Sequence, residues 1–264
     1  MSKINFLIMF YLVQLSKSFL TKEIHNPISR KITRTMSGKL NSKQKIYNFE
    51  KKYSARSEGQ TRYKKSLYDK DIDLLVCNGP AGTGKTSLAC EYSLDMLKKN
   101  KIKKIIITRP TKTIEENLGY LPGDINEKMY PWTLPIFDIF KEYFTQSEID
   151  FYLKDNIIEI CPLGFIQGRT FKNSIIIADE MQNSSESQMF MLLTRLGENS
   201  KMIINGDLNQ IKNKNGLEDL INKLNSNYPS ELDKYENSIS LIQLNNEDIQ
   251  RHDLIKKIIE MYKQ

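Results

Sequence analysis

The chain has 264 residues, of which 39% are hydrophobic, and its formal net charge is +7. This length can bury one sizeable core, and one α/β domain with a tail is the simplest organisation. Three cysteines among apolar neighbours argue against a disulfide scaffold and predict small core residues in a reducing compartment: Cys77, Cys90 and Cys161.

The positive charge is concentrated at the start of the chain. Residues 1–65 contain 15 Lys and Arg against 3 Asp and Glu, whereas the remaining residues carry a net charge of −5. Basic and aromatic side chains are interleaved there, a composition that can contact phosphates and stack bases. A solvated, flexible arm fits the same composition. We therefore divide the chain into a basic leader, residues 1–56, and a domain, residues 57–264.

The leader also has features of a targeting segment. Its apolar run from Ile4 to Val13 is shorter than the roughly 20 residues of a membrane span, and no clear signal-peptide cleavage site follows it. Between Ser16 and Lys45 the only acidic residue is Glu23, which is typical of an organelle transit peptide. Two locations are open: cytoplasmic, or an organelle, in which case the mature chain starts near residue 40.

Gln60 lies in the segment Ser57–Tyr63, which a charged helical stretch to Lys70 follows, one short helix before a glycine-rich loop. The side-chain amide of a glutamine can donate to N7 of adenine and accept from N6, so that it reads both atoms at once. This position predicts a base contact for Gln60, with an ordinary surface glutamine as the alternative.

The glycine-rich loop lies between the apolar run Leu74–Cys77 and the periodic stretch from Leu88 to Leu97, which predict a strand and a helix. It fits the pattern G-x-x-x-x-G-K-[ST], in which backbone N–H groups and the helix N-terminus surround a triphosphate. Lys85 would reach the β- and γ-phosphates, and the Thr86 hydroxyl would ligate Mg²⁺. The predicted phosphate-binding residues are Gly79, Pro80, Ala81, Gly82, Thr83, Gly84, Lys85 and Thr86.

The helix is predicted to stop at residues 98–100, and Ile105–Thr108 predicts a buried parallel strand. Arg109 follows at the carboxyl end of this strand, where open α/β sheets bind ligands, which predicts a nucleotide contact. A salt-bridged loop residue is the alternative. A compact turn over 118–124 then precedes an aromatic stretch over 130–144, whose helical spacing favours core packing over a base-stacking platform.

Two adjacent carboxylates follow another apolar run. Ile157–Cys161 predicts one strand, and Ser174–Ala178 predicts a second that ends in Asp179 and Glu180. Asp179 would hold Mg²⁺ through water, and Glu180 would polarise the water that attacks the γ-phosphate. A water-activating glutamate favours an ATPase over a kinase, because a kinase transfers the phosphoryl group to a substrate hydroxyl.

The remaining elements continue the β/α alternation. A helix over 187–196 is predicted to end at Gly197 as its C-cap, and a strand over 201–205 leads to Asp207 and Gln210, which could sense the γ-phosphate or the attacking water. A helix over 216–224, a strand over 239–244 and a final helix over 254–262 follow. The order predicts a three-layer α/β fold with a mainly parallel sheet and helices on both faces.

Together these motifs resemble the PhoH-like family of P-loop ATPases, whose RecA-like core is similar to the first motor domain of superfamily 1 helicases. The resemblance covers residues 57–264, with Met181 standing where relatives usually carry a small residue. Residues 1–56 match nothing in the family, so its usual leading domain is expected to be absent or replaced, and no fused nuclease domain is expected. The matching segments are 58–60 with Tyr63, 79–86, 108–110, 118–124, 167–170, 178–183, 194–197, 206–207 with Gln210, and 251–252.

The resemblance implies that the strand before Asp207 lies between the strands that lead to Gly79 and Asp179, and that Asp207 and Gln210 face the γ-phosphate. It also implies that Gln182 couples the nucleotide to a bound strand. The expected function is an Mg²⁺-dependent ATPase acting on RNA, with helicase activity doubtful for a single motor domain. The alternatives are an ATP-binding regulatory or stress-response module that switches a protein partner, and a DNA-directed translocase.

An arginine near the γ-phosphate can stabilise the charge that grows as this group leaves. Four residues are candidates: Arg109, Arg169, Arg195 and Arg251. Arg109 would act within its own subunit or on RNA, whereas Arg195 and Arg251 could project toward a neighbouring subunit. A single motor domain that needs such a finger must obtain it from another chain, which predicts a homo-oligomer such as a ring. Surface ion pairs are the alternative for Arg195 and Arg251.

Overall fold

The computed structural model of the chain describes residues 54–110, 125–211 and 213–250, with the backbone alone for 125–132, and the three helical positions Leu254, Ile258 and Met261. The leader up to residue 53, the predicted turn at 118–124, Arg251 and most of the predicted final helix lie outside the described residues. The proposed boundary at residues 56 and 57 therefore stays a prediction.

The described residues form one six-stranded sheet in which every pairing is parallel. The strand order is β3-β2-β4-β5-β1-β6, so β5 lies between β1 and β4 as the resemblance implied. Isoleucine-rich runs form the central strands because both of their faces are covered. The strands are β1 (Leu74–Asn78), β2 (Lys104–Thr108), β3 (Ile158–Ile160), β4 (Ser174–Ala178), β5 (Lys201–Gly206) and β6 (Ile239–Gln243).

Helices connect the strands and cover the sheet. Five of them begin at a Ser, Thr or Asn whose side chain accepts a hydrogen bond from a backbone N–H of the first turn. The helices are α1 (Glu58–Tyr68), α2 (Lys85–Lys98), α3 (Ile125–Lys141), α4 (Gln146–Lys154), α5 (Glu186–Leu193), α6 (Gly216–Asn227) and α7 (Glu231–Glu236).

Two separate apolar clusters confirm the three layers. Alternate strand residues point to opposite faces, so Leu75, Ile107 and Ile177 pack with α1 to α4 on one face. Val76 and Ile176 pack with α5 and α6 on the other. The three cysteines are buried and free, as predicted from their apolar neighbours. Within the described part of the chain, no helix is both long and apolar enough to cross a membrane.

The predicted end of α5 was wrong. The helix stops at Leu193, with Thr194 as its C-cap, and Gly197 has a different role. The N–H of Gly197 donates to the Phe171 carbonyl at 2.9 Å, and a Cβ at residue 197 would lie 2.5 Å from that oxygen. A glycine is needed here because two backbone segments approach closely, and not because a helix ends in a left-handed residue. The short helices α4 and α7 were not predicted.

Candidate nucleotide site

The glycine-rich loop joins β1 to α2 through two residues with positive φ. Gly82 has φ +84° and Gly84 has φ +82°, a region that residues with a Cβ rarely adopt. Gly84 is the N-cap of α2, and no side chain caps this helix, in contrast to the five capped helices above. The N–H groups of the first turn are therefore left to an anion, which the helix dipole also favours.

Lys85 lies inside the loop and is only 8% exposed. Its ammonium group donates to the carbonyl oxygens of Gly79 at 2.5 Å and Pro80 at 2.9 Å, and contacts the Thr83 hydroxyl at 3.4 Å. These neutral acceptors leave the positive charge unneutralised. Phosphate oxygens would be stronger acceptors for the same group, because a hydrogen bond between two charged groups is stronger than one to a carbonyl.

Thr86 and Asp179 meet at the mouth of the loop. The Thr86 hydroxyl donates to Asp179 Oδ1 at 2.9 Å, and the Arg109 guanidinium donates to Asp179 Oδ2 at 2.5 Å. The Asp179 side chain is 3% exposed, so its charge is held by these two contacts and not by water. A hydroxyl and a carboxylate are hard oxygen donors, which suit Mg²⁺ completed by phosphate oxygens and water. No cluster of three or more His, Cys, Asp or Glu suited to a metal occurs among the described residues.

Glu180 has a left-handed backbone, φ +57° and ψ +36°, at the junction of β4 and a short 3₁₀ turn. Its carboxylate accepts a hydrogen bond of 2.6 Å from the Gln182 amide, which also donates to Gln210 Oε1 at 3.2 Å. Gln210 in turn donates to Asp207 Oδ2 at 3.0 Å. One buried amide thus joins the acid after β4 to the polar turn after β5.

Gly206 permits this junction. The Oε1 atom of Gln182 accepts from the Asp207 N–H at 3.0 Å. A Cβ at residue 206 would lie 2.8 Å from that oxygen and 2.4 Å from the Leu217 side chain. The glycine is therefore required by the close approach of β5 to the Gln182 amide.

These groups surround one cleft of about 410 Å³ at the carboxyl end of the sheet. Seven of the residues predicted to act through their side chains line it together: Lys85, Thr86, Arg109, Asp179, Glu180, Asp207 and Gln210. Ala81, Gly82 and Gly84 line it through the loop. Sequence reasoning missed Ser87 and the α3 residues Pro135 and Ile139, and it placed Gly206 in a matching segment but not among the site residues. The four-residue spacing of Pro135 and Ile139 places them on one helix face, which was the available signal.

Gln60 does not line this cleft. Its buried amide donates to the Thr83 carbonyl at 3.0 Å and accepts from the Arg56 N–H at 2.8 Å. It therefore holds the back of the glycine-rich loop. Gly79, Pro80 and Thr83 also lie outside the cleft lining, and the base contact of Gln60 stays a prediction.

A segment after β6 braces the same loop. The Asp248 carboxylate accepts from the N–H groups of Gly59 at 3.2 Å and Asn245 at 2.8 Å. Two residues later, the Gln250 N–H donates to the Gly82 carbonyl at 2.9 Å. No sequence pattern pointed to Asp248, because one of its partners lies 189 residues away and the other lies in its own turn.

Arg169 and Arg195 are not among the residues that line the cleft. Arg195 donates to the carbonyl oxygens of Met191 at 3.1 Å and Arg169 at 3.0 Å. Arg169 forms a bidentate pair with Glu159, at 2.5 and 2.9 Å. Arg251 is not among the described residues. A role for Arg195 or Arg251 in another subunit stays a prediction.

Two buried acidic groups near the loop are kept neutral. Burial raises the pKa of the Cys77 thiol, and the nearby Lys85 opposes this shift. Burial, together with the charge of Asp179, also raises the pKa of the Tyr63 phenol, which donates to Asn205 at 2.9 Å. Neither group supplies a nucleophile or a charge to the cleft.

Comparison with known proteins gives concordant matches. Residues 52–263 match the family described as PhoH-like protein. A PhoH-like protein of Bacillus subtilis (strain 168) is 41% identical over 212 residues, which are 80% of this chain and 64% of that protein. Protein PhoH of Escherichia coli (strain K12) is 35% identical over 212 residues, which are 79% of this chain and 57% of that protein. The chain thus spans about three fifths of the length of these relatives.

Among solved structures, a Sulfolobus solfataricus SWI2/SNF2 ATPase core in complex with dsDNA matches with a TM-score of 0.42 and 12% identity. The match covers 74% of this chain and 45% of that one. A likeness at this level adds nothing to the assignment of the site.

Proposed function

Because the chain belongs to the PhoH-like protein family, we propose that it is an Mg²⁺-dependent ATPase coupled to RNA binding or remodelling. The observation that carries the proposal is the meeting of Thr86 Oγ1 and Asp179 Oδ1 at 2.9 Å beside the uncapped N-terminus of α2. The two residues are 93 positions apart in the chain. Their contact joins a phosphate-binding loop to an acidic strand end, with Glu180 next in sequence.

The loop and α2 would bind the triphosphate. The N–H groups of the first turn of α2 would donate to its oxygens, and Lys85 would exchange the carbonyl oxygens of Gly79 and Pro80 for the β- and γ-phosphates. Arg109 lines the same cleft and adds a second positive charge.

Thr86 and Asp179 would hold the Mg²⁺ ion, in keeping with their hard oxygen donors. When bound, such an ion neutralises charge on the β- and γ-phosphates and orients them. Arg109, which now holds Asp179 Oδ2, would remain close enough to balance the carboxylate or to contact a phosphate.

Glu180 would accept the proton of the attacking water. The hydrogen bond from Gln182 fixes one carboxylate oxygen, Oε2. Asp207 and Gln210 line the same cleft, where Gln210 could hold the water in line with the γ-phosphate. Because Gln182 contacts Glu180, Asp207 and Gln210, displacement of its amide would disturb the base and the water position together.

The test compares Lys85→Ala with Glu180→Gln in ATP binding and in turnover. Loss of the Lys85 ammonium should weaken ATP binding by about tenfold to a hundredfold, since hydrogen bonds to charged groups contribute about 1.5–3 kcal/mol. Glu180→Gln should keep ATP bound and lose hydrolysis by roughly a hundredfold or more.

Glu186→Gln, an exposed carboxylate on α5, is the matched control and should behave as the wild type. Equal loss of ATP binding in Lys85→Ala and Glu180→Gln would contradict the role of Glu180 as the base. Turnover measured with RNA, DNA or neither separates an RNA-coupled ATPase from a DNA translocase and from a module that switches a protein partner.

A further inference from the structure

Two phenylalanines are the most exposed aromatic side chains among the described residues. Phe190 on α5 is 71% exposed, and Phe165, in the 3₁₀ turn Leu163–Phe165 after β3, is 60% exposed. The two elements contact each other. Neighbouring apolar residues of both elements, Leu163 and Met189 among them, are buried in the core, so the phenylalanines are held outward by well-packed backbone.

Two arginines are bonded to the backbone close in sequence to these phenylalanines. Arg195 is anchored to the Met191 carbonyl, next to Phe190, and to the Arg169 carbonyl, close to the turn of Phe165. Arg169 pairs with Glu159 and stacks on the ring of Phe171 at 4.8 Å. Arg195 has only neutral acceptors and, within the described ranges, no carboxylate within ion-pair distance. The Arg195 guanidinium therefore links the last turn of α5 to the segment that follows the Phe165 turn, and its positive charge is fixed there.

This face is connected to the nucleotide cleft. The Leu163 N–H donates to the Arg109 carbonyl at 3.1 Å, and the Arg109 side chain holds Asp179. The turn that carries Phe165 is thus one hydrogen bond from a residue that lines the cleft. A ligand that moves this turn would move Arg109 as well.

From these contacts we infer that Phe165, Phe190 and Arg195 form a binding surface for single-stranded RNA, an inference that rests on the ATPase function proposed above. Bases stack on exposed aromatic rings with little dependence on sequence, and a guanidinium contacts the phosphates between them. A protein partner would use the apolar area of the rings but would not need an unneutralised charge fixed where their two segments meet. The charge favours a polyanion.

The experiment uses the full chain and a fluorescent single-stranded oligouridine, with binding followed by fluorescence anisotropy. Phe165→Ala and Phe190→Ala should each weaken RNA binding by about fivefold to a hundredfold, the range for loss of one stacked base. Phe165→Trp and Phe190→Trp should retain binding, whereas Phe165→Leu and Phe190→Leu should not, because leucine keeps apolar area but has no π-face. Phe151→Ala, which removes a 54% exposed ring from α4, is the matched control and should bind as the wild type.

Two further measurements identify the mode of binding. Arg195→Gln should lower the slope of log affinity against log salt by about 0.7, the value for one phosphate contact on a single strand. The Phe165→Ala/Phe190→Ala double variant should keep its ATPase rate without RNA and lose stimulation by RNA.

Unchanged RNA affinity in that double variant would overturn the inference while leaving the ATPase proposal intact. Retention of binding in both leucine variants, or a change of oligomeric state with RNA affinity unaltered, would assign the surface to a protein or to a second copy of the chain. Binding of single-stranded DNA but not RNA would also overturn it. Absence of ATP turnover in the wild type would instead contradict the proposed function. That assay contains no RNA, so its outcome does not depend on the RNA-binding surface.

Discussion

Arg109 and Asp179 form the most strongly buried ion pair of the cleft, with side chains 16% and 3% exposed. Removing one member of a buried pair costs more than the pair itself contributes, because the remaining charge has lost its water as well as its partner. The strand end therefore needs a cation near Asp179 whether or not Mg²⁺ is bound. In this structure the Arg109 guanidinium is that cation.

The pair gives a stability prediction. Arg109→Gln should lower the free energy of unfolding by about 3–5 kcal/mol in the absence of nucleotide and metal. Thermal unfolding measures this, and Arg109→Gln combined with Asp179→Asn should recover much of the loss because the unpaired charge is gone. Strictly additive losses in the double variant would show that the two side chains are not coupled.

At the scale of single elements, the segment after β6 is a brace for the glycine-rich loop. Asp248 ties this segment to the N-terminus of α1, and Gln250 ties it to the loop itself. Gly79 presses against the same segment, since a Cβ there would lie 2.6 Å from Leu244 Cβ. The loop is thus supported from α1, through Gln60, and from the end of the sheet.

The brace predicts that removing the Asp248 carboxylate weakens both the stability of the fold and the binding of ATP. Asp248→Ala should lower the free energy of unfolding by about 1–3 kcal/mol, because the buried N–H of Gly59 and the partly buried N–H of Asn245 lose their acceptor. It should also raise the KM for ATP more than it lowers kcat, since the loop is displaced but Glu180 is not. The neighbouring Glu247→Ala, an exposed carboxylate in the same turn, is the control. An Asp248→Ala protein with reduced stability and an unchanged KM would mean that the brace serves folding alone.

At the scale of the whole molecule, charge divides the chain into a basic leader and an acidic remainder, since residues 1–65 hold 15 of the 39 Lys and Arg but 3 of the 32 Asp and Glu. All residues that line the cleft belong to the later part, from Ala81 to Gln210. The Arg56 N–H donates to Gln60, whose amide in turn donates to Thr83 of the glycine-rich loop. The contacts that support the loop therefore reach back to residue 56.

Deletion of residues 1–53 spares this contact and should leave ATP binding and turnover close to the wild type. If the leader contacts RNA, the slope of log RNA affinity against log salt should fall by about 0.7 for each lost phosphate contact. A salt slope identical to that of the full chain would assign the leader to targeting or to a solvated arm. Substantial loss of ATP binding would show that the leader belongs to the nucleotide domain.

The homo-oligomer predicted from the sequence can be tested by mixing subunits. The Arg195 guanidinium donates to acceptors of its own chain, so Arg251 is the better residue to substitute in this test. Arg251→Ala and Lys85→Ala subunits, each inactive alone, should regain part of the turnover when mixed, because one supplies an intact cleft and the other an intact finger. Wild-type turnover that stays proportional to protein concentration down to the monomeric range would contradict an arginine acting between subunits.

The sequence by itself determined the phosphate loop, the acidic strand end and the parallel order of the sheet. Gly82, Gly84, Lys85 and Thr86 are close in the chain, and their pattern is fixed by local backbone geometry. Apolar runs identified the six strands of the described residues. The signal was strong for β1, β2, β4 and β5, because a strand buried on both faces must be apolar throughout.

Only the tertiary structure decided which side chains meet. Gln182 joins Glu180 to Gln210, and Asp248 joins α1 to the end of the sheet, through contacts between residues far apart in sequence. The sequence predicted that Gly197 ends a helix, whereas the structure shows that Gly197 lies where two backbone segments approach closely. Such contacts depend on the packing of whole elements, and no pattern of neighbouring residues encodes them. The cleft therefore follows from the fold, while its phosphate loop follows from the sequence.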